Sequence, residues 1–306
     1  MATQSGHAHQ KMAVAFILIV YTVWGVQPLY WQLFGPIPLS HILAHRIIWS
    51  ALLLLPITVM TKRRRQLKRV SISFSQFAII ALCAVAIGGN WLLNISAAAT
   101  KQVVEASLGH YITPIVVVLL GVFVLKEPFR LYKTTALALV AVGTGILTVH
   151  IGRLPIIALM LVVTFVTYAF LKKTTPLGPL VGITAETVIL LPFAVLFLVY
   201  QRSTGIPWFF TTDPKDILLL VSTGVFTSVP LLLFATGVRW IEFSNLGFIQ
   251  YYAPSLSLLI GIFIFRERFT PIYLLSFGFI WIAILIVVFT PVFLHGKAGR
   301  RVGAAP

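Results

Sequence analysis

Acidic side chains are nearly missing from this sequence: seven in 306 residues, against 23 lysines and arginines. The only aspartates, Asp213 and Asp216, flank one short segment without a neighbouring histidine, which leaves no basis for an aspartate-dependent catalytic triad. Cys83 is the single cysteine, so an internal disulfide is excluded. The seven histidines lack metal-ligand spacing, and His7 and His9 fall in a polar N-terminal tail. The "GTG" at residues 143–145 sits inside an apolar run, with neither the strand nor the phosphate loop of a dinucleotide fingerprint, and reads as helix packing. No ATP-binding motif is present. The first apolar run is too long for a signal-peptide core and lacks a cleavage site, so it is expected to remain in the mature protein. These absences point away from an enzyme and call for no metal and no cofactor.

What is present is apolar sequence. Hydrophobic residues make up 59% of the chain and charged residues 10%, with a mean hydropathy of +0.99, far from the roughly 25% charged residues of a soluble domain. Crossing a hydrocarbon core takes about 20 apolar residues. Ten stretches qualify: Met12–Phe34, Leu39–Met60, Phe74–Ala98, Val103–Leu125, Leu131–Val149, Leu154–Leu171, Leu177–Tyr200, Asp216–Val238, Ser244–Phe265 and Pro271–Leu294. Their continuous apolarity excludes a β-barrel, whose strands alternate. The predicted fold is an all-α polytopic membrane protein with ten transmembrane helices.

The net charge of +16 follows the predicted topology. With both termini cytoplasmic, inner segments carry 16 of the basic residues, including Lys62, Arg63, Arg64, Arg65, Lys68 and Arg69, and outer segments carry 6. That is the positive-inside pattern of a multi-pass protein of the cytoplasmic (inner) membrane. The basic charge is therefore assigned to topology and to anionic lipids on the cytoplasmic side, with no nucleic-acid partner.

The chain repeats itself. "SLGHYITPIVVVLLGVFVLKEPF" (107–129) lies over "GFIQYYAPSLSLLIGIFIFRERF" (247–269) at an offset of 140, matching Tyr111 to Tyr251, Pro114 to Pro254, Gly121 to Gly261 and Glu127 to Glu267. Each copy holds five spans, and an odd number inverts the second copy in the membrane. The predicted organisation is a tail over 1–11, a first repeat over 12–150, a second over 154–294 and a C-terminal tail over 295–306. Inverted repeats commonly signal a transporter whose substrate site lies near mid-membrane.

Charges inside the apolar runs are the sharpest functional signal. Arg46 lies within "SHILAHRIIWS" (40–50), and the same offset carries it to Glu186, the only acidic residue well inside a predicted span. A charge at a helix centre costs about 2.5–3.5 kcal/mol on insertion scales and normally finds a partner. Arg46 and Glu186 are therefore expected to form a charge pair, with a static buried bridge or snorkelling of Arg46 as the bland alternatives.

Other polar residues at depth suit either a cavity wall or a helix contact. Trp24, Gln27, Pro28 and Trp31 share a face of the first helix, and Asn90 and Asn94 stand one turn apart on the third. Ser107, His110, Tyr111 and Pro114 align on the fourth, and Gly247, Gln250, Tyr251 and Pro254 on the ninth. Pro28, Pro114 and Pro254 are candidate kinks. His45 can stack on Trp49 one turn on. Glu105 suits a helix start, and Glu127 and Glu267 suit helix ends. Gly178 with Gly182, and Ala84 with Gly88, are small-xxx-small pairs that favour close helix contact.

The strings "WGVQPLYWQL", "ILAHRIIWS", "GGNWLL", "EASLGHYITP", "AETVILLP", "TSVPLLLF", "LGFIQYYAP" and "FGFIWIA" resemble, in order and spacing from about Tyr21 to Ala283, the RarD-type branch of the EamA-like transporters, in the drug/metabolite transporter superfamily. The resemblance implies a ten-helix inner-membrane permease with two EamA repeats and a cavity lined by helices 1–4 and 6–9. The branch name refers to chloramphenicol sensitivity and supplies no ligand. Its motifs add Tyr30, Trp49, Trp91, Tyr168 and Pro230 to the candidate positions. Departures are Gln32 where the family usually has lysine, His41 where it has an acid, His110 for a tyrosine and Thr113 for an asparagine.

The expectation is a secondary transporter that moves a small amphipathic metabolite or drug by alternating access, in the export direction implied by the resemblance. Its aromatic residues would hold the apolar part of the solute, and Asn90 and Gln250 its polar groups. A membrane receptor on the same fold, or a passive channel, are the competing readings.

Overall fold

In a computed structural model, residues 2–61, 74–99, 103–151, 156–210, 213–266 and 271–302 are described. They form helices α1 (Ala2–Gln32), α2 (Leu39–Met60), α3 (Phe74–Ala99), α4 (Val103–Phe123), α5 (Leu131–Ile151), α6 (Ile156–Thr174), α7 (Pro179–Ser203), α8 (Pro214–Gly237), α9 (Phe243–Gln250), α10 (Tyr252–Phe263) and α11 (Pro271–Val302). Nine spans among them are long and apolar enough to cross a membrane, and Leu108–Phe123 within α4 is a shorter apolar segment. Large apolar side chains such as Val85, Phe193, Leu196 and Leu218 stand exposed along these helices, as a lipid environment allows.

One expected helix is divided. The run Ser244–Phe265 forms α9 and α10, which meet at Tyr251. The physical reason is Pro254: lacking an N–H, it fits the first turn of a new helix, where that donor has no partner to lose. Pro28 and Pro114 lie inside α1 and α4. The turn near residues 151–154, and Glu267, fall outside the described side chains.

The chain folds into two compact units that cut across the sequence repeats. The first takes residues 1–103 and 163–241; the second takes 104–162 and 242–306. In the first unit α2 packs on α7 and α8, α1 on α8, and α3 on α7. Close approach explains the α2–α8 contact: a Cβ on Gly224 would stand 2.6 Å from the main-chain carbon of Trp49. Small residues let membrane helices approach in this way. The contact is sealed by hydrogen bonds, the Ser50 hydroxyl donating to the Gly224 carbonyl at 3.3 Å, while Thr58 and Thr184 share a proton at 2.7 Å between α2 and α7.

In the second unit α5 packs along α11. There Gly143 approaches so closely that a Cβ would meet the Ser276 carbonyl oxygen at 2.6 Å, which is the packing role expected of the 143–145 run, while a Cβ on Gly145 would meet nothing within 4 Å. The Glu127 carboxylate accepts from the Phe243 and Ser244 amides at 2.5 and 2.8 Å, capping the N-terminus of α9. Lys133, itself buried, donates to Glu242 at 2.7 Å and to Ser244 at 3.0 Å.

Candidate functional site

Arg46 lies seven residues into α2, about 10 Å from the start of the helix at about 1.5 Å per residue. Its Nε donates to the Thr227 hydroxyl of α8 at 3.1 Å. The guanidinium lies 4.1 Å from the ring centroid of Trp91 on α3 and 5.7 Å from that of Trp31 on α1. Both distances fall in the range of cation–π attraction, which is worth about 2 kcal/mol when desolvated. Tyr30, within electrostatic reach of the guanidinium, stacks on Phe226 at 4.0 Å and 16°, and its hydroxyl shares a proton with Ser222 at 2.7 Å. Among the described residues no carboxylate forms a salt bridge with Arg46.

The sequence expectation of an Arg46–Glu186 pair is corrected by the structure. Glu186 is bonded instead by Lys172, in the last turn of α6, and the two side chains are 4% and 3% exposed. Lys172 also faces the ring of Tyr168 at 5.3 Å, and that tyrosine lies beside the Glu186 carboxylate. Gly182 makes room, since a Cβ there would stand 3.3 Å from the lysine Nζ. A small pocket reaches this pair, lined in part by Cys83, Thr175, Pro179 and Arg239. A buried carboxylate requires a cation, and the fold supplies one from the end of α6 rather than from α2.

Near the start of α2 a short loop covers the helix. His45 Nε2 lies 2.8 Å from the Trp208 carbonyl oxygen, and its ring stacks on Phe209 at 5.0 Å. The stacking partner is therefore Phe209 and not Trp49, whose backbone is pressed against Gly224. His41 is fully buried, between Phe197 and Phe210 and 3.3 Å from Gln201.

The remaining expected residues separate by unit. In the first, the Asn90 amide donates to Thr164 at 3.0 Å and Asn94 donates to the Asn90 carbonyl at 2.9 Å. Asn94 follows Trp91 by three residues and so shares its face of α3. Trp24 packs with Tyr21, Phe165 and Phe234, and Gln27 and Pro28 are half-buried on α1. Pro230 is buried in α8.

In the second unit Tyr251 is buried and its hydroxyl donates to the Tyr111 carbonyl at 2.7 Å, so two positions related by the repeat offset touch. Gln250 is buried, its Oε1 without a hydrogen-bond partner among the described residues, and His110 is exposed. The Ser107 and Glu105 side chains lie outside the described ones. Thr227, Ser222, Phe226 and Lys172 were not singled out from the sequence. The first three carry no charge, and the fourth reads as a flanking lysine at a helix end.

The profile of the EamA-like transporter family matches residues 11–149. An "Uncharacterized transporter" of Vibrio cholerae is 35% identical over 291 residues, covering 95% of this chain and 96% of its own. "Protein RarD" of Escherichia coli is 33% identical over 293 residues, covering 95% and 98%. A "Chloramphenicol-sensitive protein RarD" of Pseudomonas aeruginosa is 25% identical over 280 residues, covering 90% and 92%. A protein crystal structure shares the fold, with a TM-score of 0.65 and 16% identity over 90% of this chain and 96% of the other. The apolar helices and these relatives define a multi-pass membrane transporter. The chain belongs to the RarD-type branch of the EamA-like transporter family, within the drug/metabolite transporter superfamily.

Proposed function

We propose that this chain is a secondary transporter that moves a small amphipathic metabolite or drug across the cytoplasmic membrane by alternating access, in the export direction, with both termini cytoplasmic. The observation that carries the reading is Arg46: a permanent charge at membrane depth, held by aromatic faces and one hydroxyl, with no acid paired to it among the described residues. Intramembrane charges of this kind mark solute pathways. The surrounding rings offer apolar surface to the rest of a solute, and Asn94 offers an amide on the same face of α3 as Trp91. The inverted repeat in the sequence supports a carrier over a scaffold, which has no need of two-way symmetry.

Purified protein in liposomes tests this. A carrier gives saturable uptake of a solute found by thermal-shift screening, and Arg46→Ala, folded by size-exclusion and circular dichroism, abolishes it. Linear uptake identifies a channel. Binding without flux for every solute identifies a receptor.

A further inference from the structure

We infer that the transported solute is an organic monoanion, a carboxylate joined to an aromatic or similarly flat apolar body, and that Arg46 takes its carboxylate. The inference rests on the transport reading and narrows its substrate class.

The charge balance within the first unit is the starting point. Among its described residues, Arg46 is half-buried on α2 while Lys172 and Glu186 are buried as a pair; the other half-buried cations, Lys173 and Arg239, donate to main-chain carbonyls at helix ends. The pair is internally neutral, and each partner is almost fully buried against the other. Arg46 has no such partner, so its charge is uncompensated among the described residues. Among the described residues only Nε is used, toward Thr227, and neither Nη group makes a hydrogen bond. A guanidinium with its Nη edge unused is matched by a carboxylate, which can accept two parallel hydrogen bonds from it. Arg46 is half-buried, so this edge is not sealed within the protein.

The aromatic neighbours decide against a cation. Faces of tryptophan bind ammonium groups when they are free, but here Trp91 and Trp31 already face the Arg46 guanidinium. A second cation would meet the repulsion of a guanidinium already seated on these rings. A neutral solute could use the ring surface and the Tyr30–Ser222 hydroxyls, yet it would leave the guanidinium unpaired in a poorly hydrated setting, which costs binding energy. The Tyr30–Phe226 stack beside the charge favours a flat apolar body attached to the acid.

Three probes of one shape separate the cases: 3-phenylpropionate, its neutral amide, and 3-phenylpropylammonium. The full chain in nanodiscs is titrated by scintillation proximity with tritiated acid, and the other two compete. The acid is expected to bind at least about 10-fold more tightly than the amide, with the ammonium weaker still. Arg46→Lys should keep part of that preference, and Arg46→Gln should bring acid and amide to equal affinity without weakening the amide. Equal affinities in the unaltered protein, a preference that survives Arg46→Gln, or no binding of any probe overturns the inference. Saturable counterflow of the amide or the ammonium with no advantage to the acid also overturns it, and leaves the transport reading standing. Acid binding that depends on Arg46 but never produces flux does the reverse.

Discussion

Replacing Lys172 with methionine should be among the most damaging single changes in the first unit. Both members of the Lys172–Glu186 pair are below 5% exposed, so solvent screens their attraction very little. Removing one partner of a buried pair costs about 3–5 kcal/mol, because the other charge is left in an apolar setting. Lys172→Met strands the carboxylate on α7. Glu186→Leu strands the ammonium, but Lys172 sits in the last turn of α6 and its long stem can reach toward the membrane surface, so the cost falls at the low end of that range. The double variant removes both charges, and an apolar pair of similar volume is often neutral or stabilising. A double-mutant cycle should therefore return about 3 kcal/mol or more of coupling between 172 and 186. The cycle for Arg46 and Glu186 should return less than about 0.5 kcal/mol, since the two share no partner. Unfolding by SDS in mixed micelles measures this. Labelling of Cys83, buried and the only thiol, reports opening, and circular dichroism serves as an independent probe. The reasoning is refuted if Glu186 couples to Arg46 more strongly than to Lys172, or if the double variant is as unstable as Lys172→Met.

Arg46→Gln should leave stability within about 1 kcal/mol of the parent, because relief of the insertion cost offsets the lost cation–π and hydrogen-bond terms; the same SDS titration checks it. Gly224→Leu should lower stability by about 1–3 kcal/mol or more, since even a Cβ there meets the Trp49 backbone, with Gly224→Ala showing a smaller fall in thermal midpoint. Glu127→Ala should cost about 1–2 kcal/mol by removing both acceptors at the start of α9, seen as faster amide exchange at Phe243 and Ser244.

The helices were largely legible because bilayer thickness imposes one length on every span. Leu39–Met60 matches α2 at both ends, where Pro38 precedes the first turn and polar Thr61 follows the last. The sequence marked Pro254 as a candidate kink alongside Pro28 and Pro114, and only at Pro254 do the helices separate, into α9 and α10; which proline divides a span depends on where it falls in a turn, which composition does not disclose. Arg46, Tyr30 and Trp91, which the structure brings together, were legible as candidates; Lys172 was not. A lysine beside a second lysine at a helix end looks like a topogenic charge, and only tertiary packing shows that one of the two turns inward. The offset of 140 led the sequence reading to pair Arg46 with Glu186. Equivalence under a repeat is not contact, and burial then selected a partner from the adjacent helix.

Trans-stimulated efflux tests the central claim most directly. Liposomes are loaded with tritiated 3-phenylpropionate, and unlabelled acid is added outside at equal pH and ionic strength. The account predicts faster release of label on addition, saturating with external acid, and loss of that acceleration in Arg46→Gln protein whose Cys83 stays protected. Unchanged acceleration in Arg46→Gln, or release indifferent to external acid in the parent protein, contradicts it.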